Sequence, residues 1–174
     1  MEKRSEGFAR VWCHHDAAAG GSGVTFTLRR CWGKDLDAAT LYELLKLRVE
    51  VFVVEQACPY PELDGRDLQS QTRHFWLQDP SGEAISILRL IEENPNGSKL
   101  FRISRVCTKQ ALRGQGHTNR LLQAALADVG GHPCALNAQT YLIEMYTRHG
   151  FVVDGDEFVE DGIPHVPMVR GHRS

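Results

Sequence analysis

The stretch from Arg105 to Leu126 constrains this chain more than any other. Arg105-Val106-Cys107-Thr108 reads as an apolar strand, Ala111 to Thr118 as a turn carrying Gly114 and Gly116, and Leu121 to Leu126 as the apolar part of a helix. A strand that turns directly into a helix belongs to a layered α/β fold, where each element buries one face against the other. The turn also leaves backbone N–H groups at the helix start without intrahelical acceptors, beside the positive end of the helix dipole. Gly114 and Gly116 allow backbone angles that other residues resist, and Arg113 adds a fixed charge suited to phosphate. The expected ligand is an anion, most simply a diphosphate.

Two common phosphate loops are excluded, since the chain has neither G-x-x-x-x-G-K-[ST] nor a G-x-G-x-x-G that opens a helix with an acid about 20 residues on. A length of 174 residues is that of one domain, expected over 24–174 behind a flexible arm at 1–23. The formal charge of -2 and pI near 6.4 provide no basic field for nucleic acid or anionic lipid. The arm has Lys3 and Arg4 but no apolar segment after them, and no run is long enough to span a bilayer, so a cytoplasmic protein is expected. Cys13, Cys31, Cys58, Cys107 and Cys134 are odd in number and widely spaced, which fits reduced thiols better than disulfides or zinc. His14-His15-Asp16 runs into a Gly/Ser-rich stretch and is given no role, and no metal is expected.

Along the chain, residues 24–28 alternate like a strand, and a helix is expected from Asp37 to Phe52 with Thr40 and Glu43 as a capping box. Arg48 sits on a largely apolar helix and needs a partner, for which Glu55 is a candidate. An ordered loop with several carboxylates follows from Val53 to Asp67. A meander then runs from His74 to Gln78, Ala84 to Glu92 and Leu100 to Thr108, with Ile85, Ile87, Arg89 and Ile91 on one face of its middle strand. After the helix at 117–129 come a strand at 134–138, a helix at 140–149 ended by Gly150, a strand at 151–153, an acidic loop at 154–162, and an edge strand at 166–169 broken by Pro167. That order predicts an α/β sandwich on a mixed sheet.

Two motifs in register resemble the GNAT superfamily of N-acetyltransferases. Arg113, Gly116 and Thr118 fall on its pyrophosphate loop, Gln or Arg, two residues, Gly, one residue, Gly or Ala, with Thr118 departing from the last position. Tyr146-Thr147-Arg148-His149-Gly150-Phe151 matches its Y-x-x-x-G-F, and Gln139 stands where an asparagine is usual. Arg48, Phe52, Glu55-Gln56, Cys58-Pro59-Tyr60, Asp64, Asp67, Arg73-His74 and the closing Glu160-Asp161-Gly162-Ile163-Pro164-His165 resemble the ElaA-like branch, and the likeness covers Val24 to Arg170.

The resemblance implies a mixed, mostly antiparallel twisted sheet flanked by helices, and transfer of an acetyl group from acetyl-CoA to a primary amine in a ternary complex. It places Val106, Cys107 and Thr108 on the pantetheine and the N–H groups of Arg113, Gly114, Gln115, Gly116, His117 and Thr118 on the pyrophosphate, with Gln139 nearby and Tyr146 as proton donor to the departing thiolate. Cys107 is read as a small buried hydrophobe rather than a nucleophile. For the base that deprotonates the amine, His74 is preferred, with Glu55 next and Asp64, Asp67, Asp161 and His165 as further candidates. The acids at 55–67 and 154–161 favour a cationic acceptor, and a homodimer is possible. Two alternatives stand beside this one. Acyl-homoserine-lactone synthases resemble the chain at Arg48, Phe52, Asp64, Asp67 and Arg89, and a CoA-binding module without turnover would share the same loop.

Overall fold

Strands whose every residue is covered by a helix on either side need no polar face, and the middle of this sheet is built so. The computed structural model describes residues 24–171; the expected arm, with Cys13 and His14-His15-Asp16, lies outside the described residues. In chain order the elements are β1 (Thr27–Trp32), α1 (Ala38–Arg48), β2 (Thr72–Gln78), β3 (Ala84–Glu93), β4 (Leu100–Thr108), α2 (His117–Val129), β5 (Cys134–Gln139), α3 (Ile143–Thr147), β6 (Val152–Val153), β7 (Phe158–Glu160) and β8 (Ile163–Arg170). The eight strands form one sheet in the order β1-β2-β3-β4-β5-β8-β6, with β7 also paired to β8. Among the described residues only β4 and β5 run parallel, and the chain between them is the α2 crossover, as a strand-turn-helix unit requires.

The two long helices cover opposite faces. On one, Leu44, Leu47 and Val51 pack on Trp76, Ile87 and Cys107. On the other, Leu121, Leu122, Ala125 and Val129 form the helical stripe of α2 against Phe75, Leu77, Leu88, Leu90, Phe101 and Ile103. Ile85 belongs to the α2 side and not with Ile87, because the register slips between Leu77 and Gln78 and gives β3 an extra residue there.

Other boundaries differ from expectation for physical reasons. β1 starts at Thr27 and runs on through Arg29 and Arg30; as an edge strand it carries charge, and Arg30 is neutralised by Asp128. α1 is capped by Asp37, whose side chain accepts from the Thr40 N–H, and not by a Thr40–Glu43 box. Past Arg48 the helix widens into a π-helical turn, Val49–Glu55, with Gln56 N–H bonded to Val51 O and Cys58 N–H to Val53 O; Glu55 is therefore the end of a helix, not part of a loop. β8 is longer than expected and internal, flanked by β5, β6 and β7. Pro167 is tolerated because its carbonyl accepts from Asp154 N–H just beyond the end of β6. A residue's N–H and C=O point the same way in a strand, so the missing donor faces that side and not β5.

Candidate active site

β4 and β5 pair only at Phe101 with Cys134 and Arg102 with Ala135, then diverge. The cause lies in β4, where Leu88 of β3 faces two residues, Arg105 and Val106, because the register shifts between Ile87 and Arg89. Arg105 takes φ 54°, the left-handed angle that bends a bulged strand. The slot that opens between the strands is part of a cleft of about 760 Å3, lined by Val106, Cys107 and Thr108 on one wall and by Leu136, Asn137 and Gln139 on the other.

The glycine turn closes one end. Gly114 and Gly116 have φ 76° and 79°, and a Cβ built on either would meet no atom within 4 Å, so the main chain there faces open space. No side chain caps α2, and among the described residues no backbone carbonyl accepts from the N–H groups of Gly114 to Asn119. This is an anion cradle with its donors unused, and it fits a diphosphate. Thr118 stands where a smaller residue was expected, and its hydroxyl extends a chain from Ser86 through Thr108 (2.7 Å) to Thr118 (3.1 Å), which ties the helix start to β4. Thr118→Ala is expected to cost about 1 kcal/mol, read from the urea midpoint, because one hydrogen bond is lost and Thr108 keeps its partner in Ser86. The His117 imidazole packs edge-on against Phe26 at 4.8 Å with neither ring nitrogen bonded, so its contribution is main chain. Gln115 is exposed and does not line the cleft.

Tyr146 lines the same cleft from α3, 5% exposed and edge-on to Phe151. Burial pushes its phenol above the usual range, so the hydroxyl stays protonated at neutral pH. Gln139 accepts from the Tyr141 hydroxyl. Cys107 is buried, and burial pushes its thiol up as well; a thiol held protonated is no nucleophile.

The loop before β2 forms the far wall and is held by six charges. Arg48, 0% exposed, bonds Glu62 and Asp67. Arg89 takes Asp64 through both terminal nitrogens and Asp67 at 3.0 Å, and Arg105 pairs with Glu62 and Asp64. Tyr60 completes the group by donating to Glu62. Three arginines thus balance three carboxylates, and the acids expected to attract a cationic acceptor from this loop are already engaged. Glu55 is not the partner of Arg48; both its oxygens bind Arg113, at 2.6 and 2.7 Å. The separate charges were visible in the sequence, but Glu62, Tyr60 and Arg105 were not weighed as site residues. The signal was arginines in apolar strands and an apolar helix, matched by acids in one loop.

His74 is displaced from the role first expected of it. It lies under α1, 1% exposed, with Nε2 at 2.9 Å from the Asp67 carbonyl, and it does not line the cleft. Burial lowers its pKa. β2 is covered on both faces, so opening a strand beside an acidic loop gave His74 no route to substrate. Glu55, Asp64, Asp161 and His165 do line the cleft; the His165 Nδ1 is bonded to the Ile163 carbonyl at 2.8 Å.

Residues 38–170 match the model of the acetyltransferase (GNAT) domain. The chain belongs to the GNAT acetyltransferase family. It is similar to a UPF0039 protein of Mycobacterium tuberculosis, 69% identical over 147 residues that cover 84% of this chain and 94% of that one. In structure it is similar to an acyl-CoA N-acyltransferase of Pseudomonas aeruginosa, with TM-score 0.77 and 38% identity over 84% of this chain and all of the other. It is likewise similar to Escherichia coli ElaA, with TM-score 0.78 and 32% identity over 84% and 99%. The mixed, mostly antiparallel sheet flanked by helices is that of the GNAT fold. Among the described residues no helix is long and apolar enough to cross a membrane, and no His, Cys, Asp and Glu group could hold a metal ion.

Proposed function

We propose that the protein is an N-acetyltransferase that moves an acetyl group from acetyl-CoA to a primary amine by direct attack. The observation that carries this is the slot between β4 and β5 opening onto the uncapped start of α2. An extended chain fits the first as an added strand, and a diphosphate fits the second. Val106, Cys107 and Thr108 would hold the pantetheine amides, and the N–H groups from Gly114 to Thr118 the diphosphate. Acetyl-CoA supplies an activated thioester.

The chain's own residues move the protons. As the new C–N bond forms and the C–S bond breaks, the Tyr146 hydroxyl donates to the sulfur. Glu55 takes the proton of the acceptor ammonium. The acceptor enters past Tyr60 and the β7–β8 turn, where Glu160 and Asp161 line the cleft and favour a cationic amine. The residues shared with lactone synthases do not argue for that chemistry, because Arg48, Asp64, Asp67 and Arg89 serve the buried ion-pair group.

The test is transfer of label from acetyl-CoA to a panel of polyamines, aminosugars and peptide amines. The expected result is N-acetylated product with one free thiol released per acetyl group. Binding of acetyl-CoA with no transfer to any amine would leave a CoA-binding module and end the enzymatic reading.

A further inference from the structure

We propose that the Glu55–Arg113 ion pair masks the base, and that the diphosphate of the cosubstrate removes the mask. The inference rests on the N-acetyltransferase reading above. Glu55 ends the π-helical turn after α1 and gives both carboxylate oxygens to the two terminal nitrogens of Arg113. With both oxygens turned to one guanidinium in a bidentate pair, the carboxylate is not presented to an amine in the cleft. Arg113 in turn is anchored through Nε to the Thr108 carbonyl at 3.0 Å, at the point where β4 leads into the glycine turn.

The pair is placed to be exchanged. Arg113 is 43% exposed and Glu55 29%, so water and salt screen the attraction between them. A diphosphate in the cradle offers Arg113 more negative charge than one carboxylate does, together with the unused N–H groups beside it. When Arg113 turns to it, Glu55 is freed on the cleft wall, where an acceptor amine meets it. The amine is then deprotonated only when the diphosphate of the cosubstrate is bound. His165 has its Nδ1 at the Ile163 carbonyl, and a base at its Nε2 would not respond to Arg113.

Calorimetric titration of CoA onto the full chain tests this in wild type, Glu55→Gln, Arg113→Gln, the double variant, and Glu160→Gln as a control of equal charge change. Removing the mask is expected to tighten CoA binding about two- to five-fold in Glu55→Gln, with a clearly smaller change in Glu160→Gln. In the Arg113→Gln background the gain from Glu55→Gln should vanish, because the competitor has no target left. A gain equal to that of Glu160→Gln, or one that persists without Arg113, overturns the mask while the acetyltransferase reading stands. Failure of the wild type to bind CoA removes both.

Discussion

Tyr146→Phe is expected to lower kcat by about 100-fold or more while KM for acetyl-CoA stays within about three-fold, since general-acid assistance is lost and the cofactor contacts are not. The variant is a clean one. Among the described residues nothing hydrogen-bonds the Tyr146 hydroxyl, and the ring keeps its edge-on contact with Phe151 at 6.0 Å, so the thermal midpoint should hardly move. Because burial holds the phenol above its usual range, wild-type activity should show no alkaline loss from this group below about pH 10. Steady-state kinetics with the best acceptor from the amine panel check both points. A kcat within two- to three-fold of wild type would take the proton donor away from Tyr146.

The second large effect is on stability. Arg48→Met keeps the length and apolar stem of the side chain but leaves Glu62 and Asp67 in the interior without the cation that joins them. Breaking a buried pair on one side costs about 3–5 kcal/mol, and at about 2–4 °C per kcal/mol for a domain of this size the thermal midpoint should fall by roughly 10 °C. A loss under about 1 kcal/mol would show that Arg89, Arg105 and Tyr60 hold the loop without it. The same group makes the fold acid-sensitive. Burial alone would raise the carboxyls of Asp64 and Asp67, but hydrogen bonds and charge from Arg89 and Arg48 more than offset this and depress both. A depressed carboxyl contributes stability above its unfolded pKa near 3.9 and loses it as pH falls toward the folded value. Unfolding followed from pH 6 to pH 2 should therefore steepen below about pH 4, and less so in Arg48→Met, where Asp67 has one cation fewer.

What could be read in the sequence was what depends on neighbours along the chain. The angles of Gly114 and Gly116, the bare start of α2 and the stripe of Leu121, Leu122, Ala125 and Val129 are local, and so was the strand-to-helix unit that fixes one parallel pair. The bulge at Arg105 was not legible, because an arginine at φ 54° is imposed by β3 pairing and by Glu62 and Asp64, which lie more than 40 residues away. The slot between β4 and β5 follows from that bulge and was hidden with it. His74 was misread because alternation does not tell a strand covered on both faces from one that opens to solvent. The pairing of Glu55 was not legible for a related reason: Arg48 was one candidate partner, and the π-helical turn carries Glu55 beyond it and across to Arg113.

In the proposed enzyme the glycine turn and the β4–β5 slot form one site for CoA. Thermal unfolding of the full chain with acetyl-CoA, CoA, ATP and NADH in separate samples tests it most directly. A ligand at about 100 times its Kd adds roughly 2.7 kcal/mol to stability. A clear rise in midpoint is expected with acetyl-CoA and CoA and none with ATP or NADH, which have phosphates for the cradle but no pantetheine for the slot. No shift with either CoA form, or equal shifts with all four ligands, would contradict it.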